Sequence, residues 1–291
     1  MDRGAIDLAP LPGGLDLRHT LESGQSYQWR RIDGAMYADT RSDAWYETVV
    51  ENTYLKIRQQ GTTLEWASTG DPVPVLTSLL RLDDDLAAIY EALPTDELVD
   101  NAIEEYTGMR LVRDPVFPCL ISFICSSQMR VERIFQMQET LAEAFGDPIA
   151  ADDRTVHAFP RPEQLARATE DDLRALGLGY RAPYVVETAQ MVANGEDPAG
   201  AEELSYEAAR EYLTRYMGVG EKVADCVLLF SLGFLEAVPL DTWIRTAIAE
   251  SYPECDQGTY ADTSAAIRAR FGGEFAGYTQ TYVFHYLRTR T

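Results

Sequence analysis

The first third of the chain carries short apolar runs of the kind that form β-strands. Aromatic and β-branched residues are frequent in five segments between residues 25 and 69, and turn signals such as Asp33-Gly34, Glu51-Asn52 and Gln60-Gly61 separate several of them. The pattern predicts an antiparallel β meander with the strands QSYQWRRI (25–32), AMYADTR (35–41), AWYETVV (44–50), YLKIRQQ (54–60) and TLEWAS (63–68).

Beyond Pro74 the apolar spacing becomes helical and stays helical to the end of the chain. Residues 75–93 have this spacing, and no strand is predicted after them. The expected fold is α+β: an N-terminal antiparallel β-sheet domain with flanking helices (1–94), followed by a large all-α region (95–291). In that region, helices are predicted at about 95–107, 115–127, 130–145, 162–168, 170–176, 181–194, 205–216, 221–234, 241–251, 260–271 and 276–289.

The composition is that of a folded globular protein. Apolar residues make up 46% of the 291 residues and charged residues 25%, which is enough to build a core and excludes a disordered chain. No apolar run approaches the roughly 18 residues that a membrane span requires, and the first residues lack an apolar targeting segment. We therefore expect no membrane partner and a cytoplasmic location.

The charge balance is unusual. The chain has 47 acidic and 25 basic residues, a net charge of −22, and only Lys56 and Lys222 are lysines. An acidic surface almost without lysine indicates a proteome adapted to high salt, where a Debye length of roughly 3 Å at 1 M screens self-repulsion. An acidic protein from a cell of ordinary salt content is the alternative. In concentrated salt this charge does not exclude a nucleic acid partner, provided that a local basic and dipolar site exists.

The spacing of cysteine and histidine predicts no metal site. None of the four cysteines forms a C-x-x-C pair, and the three histidines are scattered without an H-E-x-x-H motif. The glycine patterns of nucleotide-binding loops, G-x-x-x-x-G-K-S/T and G-x-G-x-x-G after a strand, do not occur either. We therefore expect neither a protein-bound metal nor a cofactor.

A helix, a glycine turn and a second helix form the most informative pattern. The first helix ends near Met217, Gly218-Val219-Gly220 makes a tight turn, and an almost wholly apolar helix follows. This succession, at about residues 205–234, is a helix-hairpin-helix unit. Its exposed N–H groups and positive helix end can bind a phosphate without a basic side chain. A plain αα-hairpin is the structural alternative.

Lys222 lies in the first turn of the second helix, where a cation is unfavourable because the helix N-terminus is already partly positive. The dipole and desolvation both favour the uncharged amine, which a nucleophilic, Schiff-base-forming lysine requires. Arginine cannot replace it in this role because arginine does not lose its proton. A surface lysine whose amine reaches solvent is the alternative.

Asp241 lies 19 residues beyond Lys222, at the start of the helix that begins with Thr242. An isolated aspartate in this position is interpreted as a helix N-cap. If it faces the same cleft as Lys222, its carboxylate can also stabilise a cationic, oxocarbenium-like sugar and direct proton transfers.

Together these residues resemble a known family. GVGEKVADC (218–226), followed by AVPLD (237–241), is similar to the helix-hairpin-helix/Gly-Pro-Asp superfamily of DNA glycosylases, and more narrowly to the eukaryotic-type 8-oxoguanine DNA glycosylase/AP lyase. Further matches follow the family's order along nearly the whole chain, at SGQSYQWR (23–30), VRDPVFPCLISFICSS (112–127), LGLGYRAPYV (176–185) and AGYTQTYVF (276–284).

The resemblance implies a base-excision repair enzyme that acts as a monomer on double-stranded DNA of the nucleoid. Its expected substrate is 8-oxoguanine opposite cytosine. Lys222 matches the nucleophile that attacks C1′, expels the base and forms the Schiff base from which β-elimination cuts the strand. Asp241 matches the catalytic aspartate of the motif.

The resemblance also implies a pocket for the damaged base. Gly24 matches the residue whose backbone carbonyl accepts a hydrogen bond from N7–H of 8-oxoguanine, whereas N7 of guanine is itself an acceptor. Gln280 matches the residue at the Watson–Crick edge, and Cys226 and Phe284 match the two sides that enclose the purine ring. A turn glycine and an ordinary core would also account for these residue types.

Seven further residues match positions that contact the DNA around the extruded base. Tyr180 would fill the vacated stack, and Arg181 and Arg133 would contact the orphaned cytosine. Gln128 stands in the family's asparagine-rich stretch, and Gly218, Val219 and Gly220 form the phosphate-binding hairpin. Without the surrounding matches, Tyr180 and Arg133 would be interpreted as ordinary surface residues of helices.

The chain departs from the family at several positions. Gln128 is longer than asparagine, which leaves selectivity for the opposite cytosine open. Trp243 replaces the usual histidine after the aspartate, and Leu287 replaces the carboxylate that supports that histidine. An apolar pair thus stands in place of a polar pair. Met217 stands where a proline often precedes the hairpin.

Two other functions compete with this one. A monofunctional glycosylase for alkylated bases requires Asp241 but not Lys222. A non-catalytic helix-hairpin-helix DNA-binding protein requires only the glycine turn and has no use for Lys222, Asp241 or Gln280. The presence of Lys222 and of Gly24 favours the bifunctional enzyme.

Overall fold

The computed structural model describes residues 1–38 and 43–290. Within these residues the N-terminal part forms an antiparallel sheet, which confirms the predicted α+β fold. Glu51 and Asn52 have φ angles of 50° and 64°, and Gly61 has φ 56°, as tight hairpin turns require. The strands are β1 (Asp2–Asp7), β2 (Arg30–Arg31), β3 (Tyr46–Val50), β4 (Thr53–Gln60) and β5 (Thr63–Ser68), in the order β1-β5-β4-β3-β2.

The predicted strand at residues 25–32 is largely wrong. Only Arg30–Arg31 pairs as a strand, although most of the segment is buried. The Gln25 side chain explains the difference, because it donates to the Thr20 carbonyl (2.9 Å) and accepts from the Val112 N–H (3.0 Å). The segment is therefore held by a side chain that bonds to the surrounding backbone rather than by a partner strand.

The predicted strand at residues 35–41 is not found where it can be checked. Residues 35–38 form a turn in which the Ala38 N–H donates to the Ala35 carbonyl (3.0 Å), and residues 39–41 lie outside the described residues. The Tyr37 N–H donates to the buried Glu22 carboxylate (2.9 Å) instead of to a neighbouring strand.

The structure contains strands that the sequence did not predict. β1 was missed because its residues are exposed except for half-buried Ile6, so they show no apolar alternation. A hairpin of β6 (Pro148–Ala151) and β7 (Arg154–His157) contradicts the expectation of helices alone after residue 94. The hairpin packs Ala151 and Val156 against Tyr54 of β4, and an ion pair joins Arg154 to buried Glu47. Local patterns cannot indicate these long-range contacts.

The helices predicted after residue 94 are all present, with ends within four residues of the predicted limits. Residues 75–93 form two helices rather than one, separated by a turn at 80–85. The helices are α1 (Leu17–Glu22), α2 (Val73–Leu79), α3 (Leu86–Ala92), α4 (Glu97–Glu105), α5 (Val116–Ile124), α6 (Val131–Phe145), α7 (Pro162–Leu165), α8 (Glu170–Ala175), α9 (Ala182–Ala193), α10 (Tyr206–Leu213), α11 (Glu221–Phe230), α12 (Thr242–Ser251), α13 (Tyr260–Arg270) and α14 (Ala276–Thr289).

The main core joins the sheet to the helices. Its buried side chains run from Leu8 near the N-terminus to Tyr286 on α14. Helix α11 passes through the core, and every residue from Val223 to Phe230 is buried. The first turn of α11, which contains Lys222, therefore lies at the edge of the core. None of the helices in the described ranges combines the length and apolarity that crossing a membrane would require.

Candidate active site

A cleft of about 960 Å³ opens where α11, α12 and α14 meet the loops around residues 24 and 128. Its volume lies at the upper end of the range of roughly 300–1,000 Å³ that is typical of small-molecule sites. Most of the residues predicted to carry the chemistry line this one cleft, namely Lys222, Asp241, Gly24, Cys226, Gln280, Phe284 and Gln128.

The glycine turn before α11 has the geometry of an open helix start. Gly218 has φ 81°, and a Cβ added to it would lie 2.8 Å from the Tyr184 Cβ, so both conformation and space require glycine. Gly220 is the N-cap residue of α11 with φ −92°, and an added Cβ would meet nothing within 4 Å. Val219 between them is buried and anchors the turn. The first N–H groups of α11 are thus left accessible, as a phosphate site requires.

The two lysines of the chain have different surroundings. Lys56 forms an ion pair with Asp152 (2.7 Å). Lys222 is half-buried, its Nζ donates to Ser126 Oγ (3.1 Å), and Nζ lies 5.6 Å from the centre of the Phe123 ring. Among the ion pairs of the described residues, none includes Lys222. Its amine therefore faces the cleft without a carboxylate partner.

Asp241 is both a helix cap and a cleft residue. Its Oδ1 accepts a hydrogen bond from the Ile244 N–H (2.8 Å) at the start of α12. Burial raises the pKa of Asp241 above its usual value, whereas the Ile244 hydrogen bond and the charge of Lys222 act in the opposite direction. The structure thus confirms that Asp241 caps α12, and it places Asp241 in the lining of the same cleft as Lys222.

Cys226 follows Lys222 by one helical turn and is 3% exposed. Burial raises the pKa of its thiol to about 12, although the charge of Lys222 acts in the opposite direction. The thiol therefore remains protonated near neutral pH. It presents a small, soft and uncharged surface to the cleft.

The remaining residues of the base pocket come from α14 and from the loop after α1. Gln280 is buried and Phe284 is half-buried, and they face one cleft because they lie four residues apart on α14. The Gln280 Oε1 accepts from Thr281 Oγ1 (3.1 Å). Gly24 has φ 93°, a left-handed conformation in which only glycine is unstrained, and it lets the chain turn at the cleft wall.

Arg288 is a cleft residue that was not predicted from the sequence. Its Nη2 donates to the Glu22 carbonyl (2.9 Å), and its guanidinium lies 5.5 Å from the centre of the Phe284 ring. A Cβ on Gly24 would lie 3.1 Å from Arg288 Nη1, so Arg288 packs directly against the Gly24 loop. The spacing 280, 284, 288 on α14 was the available signal.

The predicted wedge residues lie beside the cleft rather than within its lining. Tyr180 is 54% exposed, whereas Arg181 is only 2% exposed and donates to the Ser127 carbonyl. Arg133 is exposed and donates to the Gly177 carbonyl (3.4 Å). The loop of residues 126–128 connects both regions, because Ser126 contacts Lys222, Ser127 contacts Arg181, and Gln128 lines the cleft with φ 57°.

The two residues that replace the family's polar pair, Trp243 and Leu287, lie in different surroundings. Trp243 lines the cleft and is half-buried, whereas Leu287 packs against the hydrophobic core. The described residues contain no cluster of three His, Cys, Asp or Glu side chains that could hold a metal ion.

Comparisons with known proteins match this arrangement. Residues 10–120 match the family "8-oxoguanine DNA glycosylase, N-terminal domain", and residues 121–271 match "HhH-GPD superfamily base excision DNA repair protein", where HhH denotes the helix-hairpin-helix. A "Probable N-glycosylase/DNA lyase" of Methanothermobacter thermautotrophicus is 31% identical over 95% of this chain and 94% of its own length. The "N-glycosylase/DNA lyase" of Saccharomyces cerevisiae is 32% identical over 82% of this chain and 68% of its own length.

A solved structure agrees with the sequence matches. The 8-oxoguanine glycosylase/lyase of Clostridium acetobutylicum, in complex with double-stranded DNA containing cytosine opposite 8-oxoguanine, superimposes with a TM-score of 0.84 at 26% identity, covering 95% of this chain and 92% of that chain. These matches confirm the family resemblance. The chain belongs to the HhH-GPD superfamily of base excision DNA repair proteins and carries the N-terminal domain of the 8-oxoguanine DNA glycosylases.

Proposed function

We propose that the protein is a bifunctional DNA N-glycosylase/AP lyase that removes 8-oxoguanine from double-stranded DNA. The observation that carries the proposal is that Lys222 and Asp241 line one cleft, where the Lys222 amine bonds to Ser126 Oγ and forms no ion pair with a described carboxylate. The relatives named N-glycosylase/DNA lyase support the two activities. The Clostridium complex supports 8-oxoguanine opposite cytosine as the substrate.

The proposed DNA contacts follow from the surface around the cleft. A base in a duplex must be extruded before an enzyme can act on it. The accessible N–H groups after Gly220 would bind a backbone phosphate, and exposed Tyr180 would fill the space that the base leaves. Arg133 and Gln128 would face the opposite strand. Arg181 would have to exchange its hydrogen bond with the Ser127 carbonyl for one with the orphaned cytosine.

The proposed base pocket distinguishes 8-oxoguanine from guanine by one proton. The carbonyl of Gly24 would accept from N7–H of 8-oxoguanine, whereas guanine would place its N7 acceptor against the same carbonyl. Gln280 would bond the Watson–Crick edge through its amide. The protonated thiol of Cys226 and the ring of Phe284 would enclose the purine from two sides.

The first chemical step would transfer the sugar from the base to the lysine. The Lys222 amine attacks C1′ after it has given up its ammonium proton, and the C1′–N9 bond breaks as the N–C1′ bond forms. The bond electrons leave with the base, which takes up a proton, and the lysine nitrogen loses one. The Asp241 carboxylate stabilises the positive charge that develops on the sugar.

The second step would cleave the strand. The lone pair of the lysine nitrogen forms a C=N bond to C1′ as the C1′–O4′ bond opens, and O4′ keeps the bond electrons and takes up a proton. A protonated Schiff base results. Loss of a proton from C2′ then breaks the C3′–O bond, and the 3′ phosphate leaves with its electron pair. Water hydrolyses the Schiff base and releases Lys222.

Borohydride trapping tests the proposal. The wild-type protein, incubated with a duplex containing 8-oxoguanine opposite cytosine, should give a covalent adduct that is absent for Lys222→Gln. The matched control is Lys56→Gln, which removes the other lysine and should trap normally. Base release without an adduct would indicate a monofunctional glycosylase. DNA retardation without base release or adduct would indicate a non-catalytic binding protein.

A further inference from the structure

Asp225 is a buried carboxylate outside the cleft lining. It lies on α11 between Lys222 and Cys226 and is 0% exposed. The Tyr206 hydroxyl donates to its Oδ1 and the Tyr260 hydroxyl to its Oδ2, both at 2.7 Å. A buried carboxylate is costly unless its oxygens are hydrogen-bonded, so each of these tyrosines stabilises the group.

The Tyr260 hydroxyl makes a second contact that the Tyr206 hydroxyl does not make. It accepts a hydrogen bond from the Leu240 N–H (3.2 Å), and Leu240 directly precedes Asp241. One hydroxyl therefore joins α11, which carries Lys222, to the turn that carries Asp241. The Tyr206 hydroxyl contacts Ser264 and Arg210 in addition, but it makes no hydrogen bond to the turn before Asp241.

We propose that Asp225 and Tyr260 form a positioning bridge that sets the place of Asp241 relative to Lys222. The inference rests on the proposed function, since it concerns the geometry of the same two groups. Asp241 is otherwise fixed on its C-terminal side by Ile244, and the bridge fixes the chain on its N-terminal side. Neither Asp225 nor Tyr260 lines the cleft, so they are positioning residues rather than catalytic ones.

The bridge matters because the reaction depends on geometry. Displacement of a reacting or charge-stabilising group by about 1 Å can cost roughly a hundredfold in rate. Leu240 is 3% exposed, so its N–H has little access to water that could replace the Tyr260 hydroxyl. Loss of that hydroxyl would leave the N–H unsatisfied and allow the turn to shift.

Two tyrosine substitutions provide a matched test. Tyr260→Phe and Tyr206→Phe each remove one hydroxyl bonded at 2.7 Å to Asp225, but only the first loses the bond to Leu240. We expect similar decreases in thermal midpoint. We expect Tyr260→Phe to lower the single-turnover rate of 8-oxoguanine excision about tenfold with unchanged lesion-duplex affinity. Tyr206→Phe should stay within about twofold of wild type.

A double variant separates positioning from general loosening. Asparagine is as good an N-cap as aspartate, so Asp241→Asn keeps the helix start while removing the carboxylate. If the bridge acts through Asp241, adding Tyr260→Phe to Asp241→Asn should cause no further loss of rate. Additive losses, or equal rate losses for the two tyrosine variants, would overturn the inference. Absence of excision by the wild-type protein would instead overturn the proposed function, and the inference with it.

Discussion

At the scale of single residues, Asp241 meets opposing influences on its ionisation. Removal of its carboxylate from water disfavours the charged form and raises the pKa, whereas the Ile244 N–H and the charge of Lys222 favour that form. The carboxylate whose Oδ1 caps α12 is the same group that, under the proposed function, would stabilise a cationic sugar. The contact that begins the helix therefore also holds the carboxylate ready at the cleft.

Asp114 gives a pH-dependent prediction. It is 4% exposed, its Oδ1 has no hydrogen-bond partner within the described residues, and burial raises its pKa to about 7. In the unfolded chain its pKa is about 3.9. Between about pH 4 and pH 7 the unfolded state is ionised while the folded state keeps the proton. The free energy of unfolding should therefore fall as the pH rises through this window and level off above it.

Asp114→Asn removes this titration and nearly preserves the shape. The free energy of unfolding is measured with denaturant at pH 5 and at pH 8. The decrease from pH 5 to pH 8 should be smaller for the variant than for the wild-type protein. Asp225, whose pKa burial also raises to about 7, is present in both proteins and contributes equally to both curves. Identical pH dependence in the two proteins would contradict the prediction.

Part of the site is predictable from the amino-acid sequence alone. Lys222 and Asp241 follow from their positions at helix starts, whereas Gly24 and Gln280 require the family resemblance. Arg288 was missed although it continues the helical spacing of Gln280 and Phe284, and its contact with the Glu22 carbonyl spans 266 residues. Such a contact leaves no local pattern. The link from Tyr260 to Asp225 is equally invisible, since it joins different helices.

At the scale of elements, the glycine turn before α11 gives a second prediction. Gly218→Ala would force a methyl group against Tyr184 at a φ of 81°, with a cost of about 1–3 kcal/mol or more in unfolding free energy. Gly220→Ala would meet open space at φ −92° and should cost about 1 kcal/mol or less, as a poorer N-cap. The added methyl group would nevertheless obstruct a phosphate at the helix start.

DNA titrations together with denaturant unfolding distinguish these effects. We expect Gly220→Ala to weaken the binding of a lesion duplex about tenfold, or about 1.4 kcal/mol, with little loss of stability. Gly218→Ala should lower mainly the stability. Wild-type affinity in Gly220→Ala would show that the start of α11 does not bind phosphate.

The strands that were not predicted are defined by contacts with distant parts of the chain rather than by a local sequence pattern. Most of the helices α4–α14 were predicted because they bury an apolar face at helical spacing, and β3, β4 and β5 because apolar runs and turn residues mark them. β1 pairs with β5 although it is almost wholly exposed, so backbone hydrogen bonds rather than side chains define it. The β6–β7 hairpin packs Ala151 and Val156 against Tyr54 of β4 and also makes charged contacts with the main sheet, including the bond from Lys56 to Asp152.

At the scale of the whole molecule, one core and buried polar contacts join the N-terminal and helical regions. Arg110 is 0% exposed, and its guanidinium donates to the carbonyls of Pro12, Gly14, Arg81 and Asp84. These bonds cross the predicted division between residues 94 and 95. The domain boundary at this point stays a prediction. The N-terminal and helical regions share one hydrophobic core, whatever the exact position of the boundary.

The distribution of charge complements the proposed DNA surface. Within the described ranges, many arginines away from the cleft form ion pairs, as do Arg58 with Glu65 and Arg270 with Asp96. Four cations line the cleft, namely Lys222, Arg130, Arg245 and Arg288. None of them forms an ion pair with a carboxylate of the described residues. An acidic protein can thus bind a polyanion where its cations are left unpaired.

The net charge of −22 leads to the last prediction. Self-repulsion among the excess carboxylates should destabilise the fold at low ionic strength, and screening at about 1 M salt should remove it. The thermal midpoint should therefore rise with KCl concentration, and 8-oxoguanine excision should persist near 1 M KCl. Most proteins that bind DNA through phosphate contacts weaken steeply under these conditions. Excision assays over a KCl series test this directly. Inactivation near 1 M would contradict adaptation to high salt while leaving the proposed chemistry intact.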